Sequence, residues 1–241
     1  SIWHKVAKYC IPKADACYTV GPKLAEIIGK AYGKKFSVVR NVPVLVENDF
    51  PSIKQKNNLK KSERGYLLYQ GALNEGRGLE ELIIAAKNIP RKNLIAGAGD
   101  LSAKLRNLVK KENVENVEFL GFLEPKDLKK ITAGAFLGYN LLENRGLSYY
   151  YSLANKFFDY AAAGVPCLIS PFPEYLSLNS TYNMGQVAQL NANDIGVKVN
   201  ALLQNQDHYE ELSLNCIKAS KELNWQKEEQ NLYKVYDGLY N

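Results

Sequence analysis

Between Tyr66 and Ser170 the chain repeats one pattern: a short apolar run, a turn, an amphipathic stretch, then another short apolar run. The apolar runs fall at Tyr66–Gln70, Asn93–Ala96, Val117–Leu120, Ala135–Leu141 and Pro166–Ser170. They are bounded by turn residues and too short for helices, as strands covered on both faces are. The stretches between them, Leu79–Asn88, Leu101–Glu112, Pro125–Ala133 and Asn155–Ala163, have helical spacing. Parallel strands need a crossover of a dozen or so residues, and these helices supply it. The predicted fold class is therefore α/β, a doubly wound parallel sheet. Ligands of such sheets bind outside the carboxyl ends of the strands. That selects the loops Gly71–Gly78, Gly97–Asp100, Gly121–Glu124, Leu142–Ala154 and Ser170–Tyr175.

The flanks differ. Ala16–Val20 and Phe36–Arg40 read as strands around a helix, Pro22–Tyr32, with Pro22 at its first position and Gly33 as its stop. This strand–helix–strand unit is too small to hold a core alone, and Ile2–Ile11 is expected to pack on it as a further helix. Residues 48–64 are polar, charged and aperiodic, and read as a linker. Helical patterns at Ala192–Gln204, His208–Leu223 and Lys227–Tyr240 close the chain.

With 241 residues and 46% hydrophobic content, the chain can bury one or two ordinary cores. No apolar run approaches the roughly 20 residues that span a bilayer. The chain starts without Met and is expected to be a processed or trimmed piece. Cys10, Cys17, Cys167 and Cys216 lack metal-ligand spacing and read as buried free thiols of a reducing compartment, hence a cytoplasmic location. In that setting the sequon at Asn179 reads as chance. The net charge of +6 is concentrated at Lys54–Arg64 and Lys104–Lys111, without the aromatic interleaving of a nucleic-acid surface. His4 and His208, the two histidines, lie outside the candidate loops, and no nucleophile triad or metal cluster is visible.

Five segments could carry chemistry. Gly71–Gly78, GALNEGRG, joins a strand to a helix; its glycines admit a phosphate and Arg77 could grip it, or it is an ordinary turn with an exposed arginine. Gly97–Asp100 reads first as a tight turn capped by Asp100. Phe122 flanks a nucleobase or serves as a core or hinge aromatic. Tyr149–Tyr151 present hydroxyls and rings to a ligand, or fill an interface. The most informative group is in SLANKFFDYAAAGVPC. Asn155 and Lys156 open a helix, where unpaired N–H groups attract anions, and Asp159 follows one turn on. An exposed lysine there opposes the helix dipole by about 0.3–1 kcal/mol, which a bound anion would offset. The plain alternative is a Lys156–Asp159 salt bridge.

From about Gly65 to Tyr240 the chain resembles the carboxy-terminal, Rossmann-like lobe of GT-B glycosyltransferases, in the large group that includes glycosyltransferase family four. The segments that carry this are GALNEGRGLEELIIAA, NLIAGAGDLSAKL, VEFLGFLEPKDL and SLANKFFDYAAAGVPCLIS, in that order, with Asn224-Trp225 before a final helix. ADACYTVGPKLAEIIGKAYGKKFSVVRNVPV is similar to the end of the family's first, acceptor-side lobe. The implied division is a remnant of that lobe at 1–47, a linker at 48–64 and a donor-binding domain at 65–241.

The resemblance implies transfer of a sugar from a UDP- or GDP-sugar to an acceptor hydroxyl of a glycan or lipid-linked precursor. It implies retention of configuration, no metal or other cofactor, and possible peripheral contact with a membrane. A piece missing most of one lobe is expected to bind a nucleoside diphosphate without turning over. By position, Arg77 and Lys156 stabilise the leaving diphosphate, helped by amides of Ser152–Asn155, and Asp159 meets the ribose. Gly71, Gly78, Gly97, Phe122, Tyr151, Ser152 and Asn155 complete the implied donor site. The sequence departs from the family at Ala72, where a second basic residue is usual, and at Tyr151, where an acid is usual. A sugar-nucleotide epimerase and a non-catalytic nucleotide- or glycan-binding module are the alternative readings of the same fold.

Overall fold

Every crossover that the alternating pattern requires is present in the computed structural model, which describes residues 2–45 and 65–240. The linker at 48–64 and the basic cluster Lys54–Arg64 lie outside the described residues. Strands β3 (Tyr66–Gln70), β4 (Lys92–Ala96), β5 (Val117–Gly121), β6 (Ala135–Asn140), β7 (Cys167–Ile169) and β8 (Gly185–Val187) form one parallel sheet in the order β5-β4-β3-β6-β7-β8. Between them run α3 (Leu79–Ala86), α4 (Ser102–Lys111), α5 (Pro125–Gly134), the single turn α6 (Leu147–Tyr150), α7 (Asn155–Ala162) and α8 (Pro173–Tyr182). The chain builds outward from β3 to β5, then returns to place β6 on the other side of β3. The switch point is therefore the crevice between β3 and β6.

Side chains alternate across the sheet as a period of two requires. Leu67 and Tyr69 of β3 enter one core with Ile83, Ile95 and Leu105, while Leu68 enters the other with Phe157, Tyr160 and Tyr175. Helix α7 lies close to the sheet because β6 carries Gly138, over which the Tyr160 ring rests. The Tyr160 hydroxyl donates to the Leu68 carbonyl at 2.8 Å, fixing the helix against β3 as well.

Three elements lack a clear sequence signal: the single turn α6, helix α8 and strand β8. Helix α8 has no clear apolar face: Tyr175 and Leu178 are buried while Leu176 is exposed. Strand β8 is too short to show a period. Its entry is organised by Asn179, whose carboxamide accepts from the Met184 and Gly185 amides at 3.0 and 2.8 Å and donates to the Gly185 carbonyl.

The leading unit comprises β1 (Tyr18–Thr19), α2 (Pro22–Tyr32) and β2 (Ser37–Val38), its strands parallel and shorter than expected. It sits on the larger unit through two buried carboxylates. Glu174 accepts from the Lys23 and Leu24 amides at 2.7 and 3.1 Å, and Glu228, in α11 (Trp225–Tyr240), accepts from the Arg40 amide at 2.8 Å. Helices α9 (Ala192–Gln204) and α10 (Gln206–Ser220) pack behind the sheet.

Two expectations need correction. Helix α1 (Ile2–Cys10) forms, but it buries none of its residues, and Ile2, Trp3, Val6 and Tyr9 are exposed. Only Cys167 and Cys216 are buried thiols; Cys17 is half-buried and Cys10 exposed.

Candidate functional site

At the carboxyl end of β3 lies an open cavity of about 380 Å³, walled by β3, the loop after it, α5 and the start of α7, the helix that follows β6. Strand β3 contributes Tyr69 and Gln70, its last residues, and the loop contributes Gly71, Ala72 and Arg77. The glycine at 97 explains how that loop is held. Gly97 has φ +149°, and a Cβ there would collide with the Gly71 carbonyl, so the two loops run backbone against backbone. The amides of Gly71 and Leu73 donate to the Ala96 and Ala98 carbonyls at 3.0 Å each.

Lys156 lines the cavity as a buried residue, not as an exposed helix-start cation. It is 8% exposed, and its Nζ lies 3.8 Å from the centroid of the Tyr69 ring. Burial pushes its pKa down to about 7, and the Arg77 guanidinium in the same cavity pushes the same way. Among the described residues neither Lys156 nor Arg77 has a carboxylate within 4.0 Å, so the plain alternative, a Lys156–Asp159 salt bridge, is not formed. Asp159 instead accepts from Gln70 Nε2 at 3.2 Å, and Gln70 Oε1 accepts from Thr132 Oγ1 at 2.7 Å. Burial raises the Asp159 pKa to about 6 against the opposing effect of that Gln70 bond. Two unneutralised cations therefore face a helix N-terminus, and a carboxyl group waits one turn further in. Chemically, such an arrangement can hold a polyanion joined to a hydroxyl-bearing group.

The structure brings Gly71, Arg77, Asn155, Lys156 and Asp159 together. It places the other candidates around them. Gly78 (φ +63°) starts α3 and packs on Leu190, outside the cavity walls. Phe122 is 73% exposed beyond the end of β5, so it belongs to neither core. Tyr151 ends α6 with its ring 4.9 Å from that of Tyr150, and Ser152 Oγ donates to the Tyr149 carbonyl. Two of the amides expected to help are already engaged: Ser152 N–H donates to the Tyr149 carbonyl, and Ala154 N–H donates to the Tyr175 hydroxyl at 2.9 Å. The tyrosine run fastens loops, since Tyr149 Oη donates to the Glu75 carbonyl and Arg145 pairs with Glu75 at 2.6 Å. The turn at Gly97–Asp100 is closed by Ser102 Oγ, which accepts from the Gly99 amide at 3.0 Å, rather than by Asp100.

Sequence reasoning missed Tyr69, Gln70 and Leu128 of the cavity and Tyr175 beneath it. The first two had a usable signal, because they are the last residues of the strand before the switch point.

This topology, with its cavity at the switch point, is the carboxy-terminal lobe of the GT-B fold. The glycosyl transferases group 1 family matches residues 50–223, and the chain belongs to that family. Sucrose-phosphate synthase from Thermosynechococcus elongatus is similar in structure, with 20% identity and a TM-score of 0.80 over 98% of this chain and 61% of its own. HepE of Anabaena in complex with UDP gives 14% and 0.76 over 93% and 64%. The pneumococcal O-GlcNAc transferase GtfA in complex with UDP and GlcNAc gives 14% and 0.71 over 100% and 48%. The chain thus spans less than two thirds of the length of these structures. None of the curated protein sequences matches it. No helix among the described residues is long and apolar enough to cross a membrane.

Proposed function

We propose that this chain forms the donor side of a glycosyltransferase that moves a sugar from a nucleoside diphosphate sugar to an acceptor hydroxyl. The observation that carries the reading is the buried, unpaired Lys156 beside Arg77 at the start of α7. In this reading the diphosphate lies between the two cations and the first amides of α7. Asp159 takes a ribose hydroxyl, its other contact being Gln70. The acceptor oxygen attacks the anomeric carbon, the bond to the diphosphate breaks, and the charge released falls where Lys156 and Arg77 already stand. Catalysis is positioning plus stabilisation of the leaving group, and losing one such charge costs about 10²–10³ in rate. UDP in the related HepE and GtfA structures supports a uridine donor. Retention of configuration and a glycan or lipid-linked acceptor are carried over from the family resemblance. Calorimetry of the full chain with UDP, GDP and ADP tests the reading. Binding of one of them in the micromolar range is expected; no binding to any would overturn it.

A further inference from the structure

Helix α7 starts at Ala154, a residue with no side chain to cap it, so the position of its first amides depends on something else. That something is Tyr175, whose hydroxyl accepts from the Ala154 amide. Tyr175 is fully buried, and its ring meets Phe157 of α7 edge-on at 5.2 Å. The buried carboxamide of Asn140 and the Ser152 side chain face the same hydroxyl. The residue before Tyr175 is Glu174, 1% exposed, which accepts from the Lys23 and Leu24 amides of α2. Helix α2 opens on Pro22, so these are its first two free N–H groups. Gly21 leaves room for that carboxylate, since a Cβ there would strike it. Successive residues in one turn of α8 thus hold the first free amides of α2 and the amide of the residue that caps α7.

We propose that the first turn of α8 is a relay. Glu174 and Tyr175 are positioning residues that set the start of α7, and so Lys156 and its neighbouring amides, according to where the β1–α2–β2 unit sits. The proposal rests on the donor reading of the cavity, but its geometry can be tested apart from it. Neither side chain lines the cavity, and a shift of α2 is carried to Ala154 through a single backbone step between Glu174 and Tyr175.

The test compares the full chain with Glu174→Ala, Glu174→Gln and Tyr175→Phe by amide hydrogen exchange and by UDP calorimetry. Glu174→Ala is expected to speed exchange at Lys23 and Leu24 and also at Ala154. It should weaken UDP binding by about two- to tenfold, the value of one net hydrogen bond. Glu174→Gln keeps an acceptor oxygen and should recover most of both. Tyr175→Phe keeps the contact with Phe157 and should speed Ala154 exchange while leaving Lys23 and Leu24 as they were. Unchanged Ala154 exchange in a folded Glu174 variant whose α2 amides have loosened would overturn the relay. If Glu174→Ala does not fold, Tyr175→Phe decides: Ala154 exchange and UDP binding both left as in the unmodified chain would overturn the relay. If the unmodified chain binds no nucleotide, the donor reading fails and the exchange data alone decide the relay.

Discussion

Helices α2 and α7 both begin at residues without a capping side chain, Gly21 and Ala154. They satisfy that start in opposite ways. The protein fills the end of α2 itself, placing the buried carboxylate of Glu174 on two of its amides. At α7 it places no anion. It adds a second source of positive charge, the buried Lys156, with Arg77 nearby, and leaves a cavity in front. One end is neutralised internally and is structural. The other is left in electrostatic deficit, which in the proposed reading the negative charge of the donor relieves. On the proposed function, the comparison separates a helix that an anion completes during folding from one that an anion completes during binding.

The sharpest way to break this contrast is Lys156→Met. If the deficit serves binding, UDP affinity should fall at least about fiftyfold. The unliganded chain should gain about 1–3 kcal/mol near pH 6.5, because an unpaired buried charge has been removed. Calorimetry and urea unfolding read the two effects. A variant that loses stability as well as binding would place Lys156 with Glu174 as a structural group.

Next in size is Arg77→Ala. It should weaken UDP by about tenfold or more and leave uridine within about twofold, because the guanidinium meets phosphate oxygens rather than the nucleoside. Equal losses for both ligands would remove Arg77 from the diphosphate site.

Stability against pH gives a smaller effect with a definite sign. The Lys156 pKa falls from 10.5 to about 7 on folding, so the unfolded chain holds an extra proton between those values and stability rises with pH there. Below pH 7 the cost of the buried charge is fully present. The Asp159 pKa rises from 3.8 to about 6, so the folded chain holds the extra proton in that window and stability falls as pH rises through it. The two groups together produce a minimum between about pH 6 and 7, on the order of 1–3 kcal/mol deep. Melting curves from pH 4 to 10 should show it, and Lys156→Met should flatten the alkaline side only. A profile with no dip would show that the two groups are solvated in the folded chain.

The smallest effect belongs to Phe122→Ala. With its ring 73% exposed and outside the cavity walls, UDP affinity should change by less than about twofold. A larger loss would bring that ring onto the nucleobase and extend the site along the sheet.

Much of the scaffold was legible because local chemistry marks it. Helix α2 runs from Pro22 to Tyr32 as its Pro and Gly punctuation required, and Gly33 ends it at φ +63°. The strands announced themselves by apolar runs that no hairpin could join. The candidate site was legible only as a set of residue types. That Asn155, Lys156, Asp159 and Arg77 meet follows from the switch point, and the fold rule found it. That Lys156 is buried over Tyr69 does not follow, since Tyr69 comes from a strand far away in the sequence. Nor does the capture of the Asp159 carboxylate by Gln70. Glu174 and Tyr175 fall in a selected loop, but their contacts do not follow for a related reason: their helix has no apolar period, and their partners lie in other parts of the chain.

Gly138 has one more consequence. Because the Tyr160 ring rests where a side chain at 138 would stand, that position acts as a spacer between β6 and α7. A single methyl there would lift one end of a rigid rod whose other end carries Asn155 and Lys156. The depth of the cavity is thus gauged by the thickness of a residue that forms no part of its wall.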